Sequence, residues 1–278
     1  MSRRPYRLAS PVWALPALIF ISAFFLLPLA LNIFRSQNGL SMTGVGQHYV
    51  KLLTDPYYLG VLLETLKVSL IATLASLLVG YPVAFFMVRF AGRWSGVVVF
   101  FVIAPLLTSI IMRTFGWRVL LARRGLFNTW LGQIGLMPHP QNIADETIAV
   151  YVGLVHVLVP FMVLSISAVL QGVDVRLEES ARVLGAGRFR TFWHVTLPLS
   201  AEGIATGCLL TFVVTNGSFL TMLLLGGGKI TTIALLIYQQ FSTTQDVGFA
   251  AAMGNVLLVV AVICFALQYR AMRRRTAS

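Results

Sequence analysis

Four groups of residues in this sequence have types and spacings that could do chemistry. The run LLLGGGKIT, with Gly226, Gly227, Gly228 and Lys229, has the look of a loop that cradles phosphate with backbone N–H groups and a lysine. Such a loop also needs a glycine at its head and a serine or threonine after the lysine. Leu223 and Ile230 stand there instead, so the run reads as the cap of an apolar segment and no nucleotide site is expected. His48, His139, His156 and His194 are scattered without metal-ligand spacing, and Cys208 and Cys264 lie inside apolar runs as small hydrophobes. No metal or cofactor is expected. A third group is the polar residues inside apolar runs: His156, and Asn216 with Thr215 and Ser218. Each fits either a hydrogen-bonded contact between helices or the lining of a solute pathway. The fourth is LEESARVLGAGRFRTFWHVTLPLS, residues 177–200, a charged and helix-prone stretch between two long apolar runs.

The elements that position these groups follow from composition. The chain is 58% hydrophobic and 11% charged, against roughly 25% charged residues in a soluble domain, which places it in the membrane class. The net charge of +12 does not imply nucleic-acid binding. The arginines sit at the ends of apolar segments, where they act as topology signals and lipid-headgroup partners. A bilayer core needs about 20 apolar residues per helix. Six windows meet that requirement, giving expected spans at about 12–34, 64–88, 95–113, 147–171, 202–226 and 247–269 in a single 12–270 domain. Arg3, Arg4 and Arg7 precede the first window as they would a signal peptide, but its apolar part exceeds the roughly 7–15 residues of one, so a retained span is expected.

Six spans put both termini on one side. With a cytoplasmic 1–11 tail and a basic 271–278 tail, the cytoplasmic segments hold thirteen of the 21 lysines and arginines, as the positive-inside bias requires. The 172–200 loop is then cytoplasmic, and 35–60 and 113–145 face outward. In 113–145, Trp117, Leu120, Leu121, Leu126, Trp130 and Leu131 lie among arginines, a pattern suited to headgroup anchoring or to docking a partner. No carboxylate lies deep in a span. Asp55, Glu64, Asp145, Glu146 and Asp246 fall near the outer ends, and Glu64 can pair with Lys67 one helical turn on.

Within 172–200 the spacing predicts two short helices. Asp174 can cap the first, and Glu178 and Glu179 lie near its positive end. Leu177, Ala181 and Leu184 share one face, and Gly185 and Gly187 permit a turn. Arg188, Phe189, Arg190, Phe192 and Trp193 build the second helix, and Pro198 marks a bend before the next span. Small residues beside aromatics suit close approach of a second surface, although an amphipathic hairpin lying on the membrane fits the same pattern.

This stretch resembles the cytoplasmic EAA loop of bacterial ABC-importer permeases, whose pattern is E-A-A-x3-G-x9-I-x-L-P. Here it reads Glu179-Ser180-Ala181, Gly185, then Val195, Leu197 and Pro198 at the same spacing, with Ser180 for Ala and Val195 for Ile. Residues 111–131 and 223–254 look like segments of the spermidine/putrescine-type permeases. The resemblance implies an all-α, six-span permease of the type I importer fold in a bacterial inner membrane, not itself an enzyme. The implied partners are an ATPase dimer, a second, related permease and an extracellular or periplasmic solute-binding protein. It also implies that Glu178, Glu179, Ser180, Ala181, Leu184, Gly185, Ala186, Val195, Leu197 and Pro198 form a coupling helix that engages the ATPase. Tyr81, Trp117, His156 and Asn216 are the candidates for lining a pathway for a small polar, polyamine-like solute. A secondary transporter would need internal repeats and buried ionisable groups, and an intramembrane enzyme would need a catalytic cluster; the sequence offers neither.

Overall fold

The computed structural model describes residues 15–37, 46–135 and 142–276. The 1–11 tail, residues 12–14, the stretches 38–45 and 136–141 (with His139) and residues 277–278 lie outside the described residues. The described residues form no strand. Their helices are α1 (Leu15–Gln37), α2 (Gln47–Thr54), α3 (Pro56–Arg89), α4 (Ser95–Ile103), α5 (Ile110–Leu121), α6 (Leu126–Gln133), α7 (Thr147–Gly172), α8 (Val175–Val183), α9 (Arg188–Thr191), α10 (Leu197–Leu199), α11 (Ala201–Asn216), α12 (Leu220–Leu224), α13 (Ile233–Gln239) and α14 (Val247–Thr276).

In lipid a chain must satisfy its own backbone polar groups, so long helices are the expected solution. Four described helices are long and apolar enough to cross a bilayer: α1, α3, α7 and α14. Two bent pairs also meet the requirement, each taken as one span, which brings the number to six. The start of α3 is set by Asp55, whose side chain accepts from the Tyr57 N–H at 2.9 Å, and by Pro56 in the first turn. At 34 residues it is about 50 Å long, well beyond a hydrocarbon core of about 30 Å. It therefore carries Glu64 and Lys67 as an exposed pair, 3.2 Å apart, on an early turn.

The bundle is built on α3, α7 and α11. Near the start of α7, Val68, Ala72, Leu154, Leu158, Met222 and Leu225 are buried together. Near its end, Tyr81, Ala84, Met87, Met162, Val163, Ile166 and Leu170 form a second buried cluster. A third joins α2, α3, α13 and α14 through Leu52, Val61, Ile233, Phe249 and Met253. A polar knot ties the first helix to the last. Asn32 donates to Asn255 Oδ1 at 2.8 Å, and Asn255 donates to the Tyr49 hydroxyl at 2.8 Å.

Two windows fold differently from a straight span. In 95–113 the helix tightens to a 3₁₀ turn at Ala104–Leu107 and stops; Thr108 and Ser109 are extended, and the chain resumes as α5 after a 97° bend. Pro105 explains the break, since it has no N–H to donate and cannot sit in a continuous helix without losing a bond. In 202–226 the helix ends at Asn216, and α12 and a Gly226–Gly228 turn follow. Before Ser200, residues 188–199 meet α11 at a 63° bend, so α11 is entered from the second arm of the 172–200 stretch.

Helix α11 approaches α7 through small residues at helical spacing. A Cβ added at Gly203 would sit 2.9 Å from the Ser165 carbonyl oxygen and 3.0 Å from Ile166 Cα, both backbone atoms that cannot step aside. At Gly60 on α3 a Cβ meets nothing. Gly203→Ala is therefore expected to lower the thermal unfolding midpoint in detergent, by the equivalent of about 1–3 kcal/mol of overpacking. Gly60→Ala should raise it slightly, through about 0.5–1 kcal/mol of helix propensity. Equal shifts of one sign in both variants would contradict this packing.

Candidate functional site

The 172–200 stretch projects from the α7 and α11 end of the bundle as a hairpin. Asp174 caps its first arm, accepting the Arg176 N–H at 2.9 Å. The arm, α8, ends in a Schellman closure. The Ala186 N–H donates to the Ala181 carbonyl and the Gly185 N–H to the Arg182 carbonyl, both at 3.0 Å. Gly185 stands at φ +89°, a left-handed conformation that costs other residues about 1–2 kcal/mol. The motif glycine is therefore required by the turn itself. The second arm runs through α9, a π-helical turn at Phe192–Thr196, and α10.

Burial in the hairpin runs opposite to its amphipathic pattern. Leu177 is exposed, and Val183 and Leu184, at 87% and 88% exposure, are almost fully solvated, as is Phe189 at 76%. Glu179 and Ser180 are exposed, Ala181 and Ala186 half-buried. The buried residue of α8 is the carboxylate Glu178. Its Oε1 accepts from Arg89 Nε at 3.0 Å, with the two side chains 4% and 8% exposed. Arg89 also donates through Nη2 to the Val173 carbonyl at 3.2 Å, so it satisfies the end of α7 as well as the acid. Arg182, one turn on, lies 4.0 Å from the other Glu178 oxygen. In the second arm Val195 and Leu197 are half-buried, Pro198 is exposed, and Leu197 packs on the Tyr81–Leu170 cluster.

The four pathway candidates separate into two places. Tyr81 lies by the hairpin: its hydroxyl shares a hydrogen bond with Ser200 Oγ at 3.0 Å, and its ring meets Phe192 edge-on at 5.5 Å. Trp117 and His156 lie toward the other end of the bundle and are brought together. The indole Nε1–H donates to His156 Nδ1 at 2.7 Å, and the rings cross at 82°. Asn216, almost fully buried, donates to the Phe212 carbonyl of its own helix at 2.8 Å, and its Oδ1 has no partner. The glycine run before Lys229 is a turn with positive φ at Gly226, Gly227 and Gly228, and Lys229 pairs with Glu146 at 2.5 Å. The other acids at that end are engaged too. Asp55 and Asp246 cap helices, accepting from the Tyr57 and Phe249 N–H groups, and Asp145 meets Asn142 and Arg118. No group of three metal-ligating side chains occurs among the described residues.

Sequence reasoning treated Arg89 as a topology charge and did not pair it with Glu178. The available signal was a cation closing a long apolar helix and an acid opening a short one. Nothing in their 89-residue separation points one at the other.

The described helices have the length and apolar composition to cross a membrane up to six times, with an exposed, apolar-tipped hairpin between two of them, which defines the class as a multi-span membrane protein. The comparisons agree. Residues 6–278 match the family described as binding-protein-dependent transport system inner membrane component, and this chain belongs to that family, as an inner-membrane permease subunit of the ABC-importer class. It is 36% identical to the spermidine/putrescine transport system permease protein PotB of Haemophilus influenzae over 81% of this chain and 78% of that one. The Escherichia coli PotB is likewise 36% identical, over 81% and 82%. Among solved structures, a chain of a bacterial alginate ABC transporter in complex with its pentasaccharide-bound periplasmic protein matches in fold. The TM-score is 0.75 at 20% identity, covering 95% of this chain and 94% of that one.

The Schellman turn yields a direct expectation. Gly185→Ala puts a side chain into the left-handed region at a cost of about 1–2 kcal/mol. Amide exchange at Gly185 and Ala186 in the detergent-solubilised protein is therefore expected to quicken by about tenfold. Gly185→Asn, a residue that tolerates this conformation, should quicken it less. Identical exchange in wild type and the alanine variant would show that the turn does not depend on glycine.

Proposed function

We propose that this chain is one permease half of an importer driven by a separate ATPase, with both termini and the 172–200 hairpin in the cytoplasm. The observation that carries this is the hairpin itself: Val183 and Leu184 at the end of α8 and Phe189 on α9 are held exposed at its tip, with α8 anchored from behind by a buried ion pair. An apolar tip on a rigid base suits insertion into a cleft of another protein. Glu178 anchors from behind. Glu179, Ser180, Ala181 and Leu184 supply the docking face, Gly185 and Ala186 the turn, and Val195, Leu197 and Pro198 the return to α11. ATP binding closes the ATPase dimer, the hairpin follows, and the spans shift from one access state to the other. Hydrolysis resets them.

The partner set is an ATPase dimer, a second permease that is a related but different chain, and a solute-binding protein docked on the 35–60 and 113–145 face. The solute is small, polar and polyamine-like, by similarity to relatives whose names specify spermidine and putrescine. The acids at the 113–145 end are already capping helices or paired, so attraction of a cation falls to the aromatic Trp117, the unpartnered Asn216 Oδ1 and the second permease. Membrane lipid surrounds the spans, and no nucleic acid takes part.

Gly185→Asp and Glu179→Arg test this reading. The first disturbs the turn. The second places a cation in the first half of α8, against its dipole, and reverses the charge of the docking face. Both variants are expected to reach the membrane at wild-type level and to lose solute uptake. Wild-type uptake by both would remove the coupling role from the hairpin.

A further inference from the structure

Three residues on one stripe of α3, spaced four apart, grip the hairpin at three separate points. Tyr81 meets Ser200, at the start of α11, through a 3.0 Å hydrogen bond. Phe85 meets Phe192 of the second arm edge-on at 5.7 Å. Arg89 meets Glu178 of the first arm through the 3.0 Å ion pair and Val173, at the end of α7, through Nη2. Residues four apart on a helix lie one above the other on the same face, so one edge of α3 touches both arms and both spans that the hairpin joins. Attachment at several separated points leaves little freedom for rotation.

The three contacts differ in how they resist separation. The ring pair is held only by dispersion and can slide, and the Tyr81–Ser200 bond, although buried, joins two neutral groups, so breaking it strands no charge. The buried ion pair differs from both. Each member has lost most of its hydration, and removing one leaves the other charged without a partner, which is strongly unfavourable. The guanidinium also fixes direction, since Nε serves the carboxylate while Nη2 serves a carbonyl on α7.

We infer that Arg89 is a positioning residue for transport: it makes the hairpin and α3 one rigid body, so that a displacement imposed at α8 is delivered to the whole length of α3. This rests on the coupling reading above. Because α3 continues to Pro56, the same body reaches the far end of the bundle without an intervening loop. The exposed hairpin tip is where force enters, and Arg89 is where it passes into the membrane.

The test uses the assembled transporter in liposomes, with Cys208→Ser and Cys264→Ser in this chain. Spin labels replace Arg176 on α8, outside the docking face, and Leu78 on α3, both exposed. Double electron–electron resonance then compares the nucleotide-free and ATP-trapped states. With Arg89 in place, the most probable distance between the labels should not shift. In Arg89→Met it should shift and broaden on ATP trapping, while the ATPase still co-purifies. Arg89→Glu combined with Glu178→Arg should restore the single unshifted distance, as expected for two directly coupled residues.

A distance that shifts with Arg89 present overturns the rigid-body claim, and this arm stands even if Arg89→Met fails to accumulate. A distance that stays fixed in Arg89→Met overturns the role of Arg89. Failure of the ATPase to co-purify with the unsubstituted chain would instead sink the coupling reading, and is scored separately.

Discussion

A guanidinium and a carboxylate that have both left water must find each other, because neither alone tolerates a low-dielectric surrounding. In this chain the Arg89–Glu178 contact meets that requirement, and much of the hairpin end is arranged around it. It fixes where α8 leaves α7, through Arg89 Nη2 and the Val173 carbonyl. It turns Glu178 inward, while Leu177, Val183 and Leu184 face out beside the exposed Arg176, Glu179 and Arg182. An isolated amphipathic helix would do the reverse and bury its leucines. The inversion follows from the arginine that closes α3, and it makes a short charged loop into a presented surface.

The membrane imposes the second constraint. Helices in lipid gain little from burying apolar side chains against one another, so close backbone approach and hydrogen bonds carry the packing. Gly203 and Gly207 on α11 bring that helix against α7, and Gly80 lets α3 do the same. Polar residues in the spans serve mainly as internal links: Asn32 with Asn255, Trp117 with His156, and Tyr81 with Ser200. At the end away from the hairpin, Arg118 and Lys229 meet Asp145 and Glu146 in half-exposed pairs, which contribute little stability individually but set the seating of the Gly226–Gly228 turn against the start of α7.

The all-α membrane class was legible from apolar run length, and the two-armed hairpin of 172–200 from the cap at Asp174 and the turn glycine Gly185. Local contacts were legible as well: the Asp174 cap and the Glu64–Lys67 ion pair stand where local spacing put them. Three features were not legible. The break after Leu107 falls beside one proline in a window that also holds enough apolar residues for a straight helix, while Pro28, Pro82 and Pro160 sit inside unbroken described helices. Asn216 ends α11 although the apolar run continues to Leu225, because Gly217 and Ser218 stop the helix and hydropathy does not register a stop. The pairing of Arg89 with Glu178, of Tyr81 with Ser200 and of Trp117 with His156 depends on which helices become neighbours. A single sequence carries that information only through the completed packing.

The central claim is that the apolar tip of the hairpin is a protein-docking surface in the cytoplasm. The measurement that tests it most directly is site-specific photocrosslinking in intact cells that co-express the transporter subunits. A photoreactive amino acid is placed at Leu184 on the tip, and at Leu223 toward the opposite end of the bundle as a control. The account predicts an adduct between Leu184 and the ATPase, identified by mass spectrometry, and none between Leu223 and the ATPase. An ATPase adduct at Leu223, or only lipid adducts at Leu184, would contradict it.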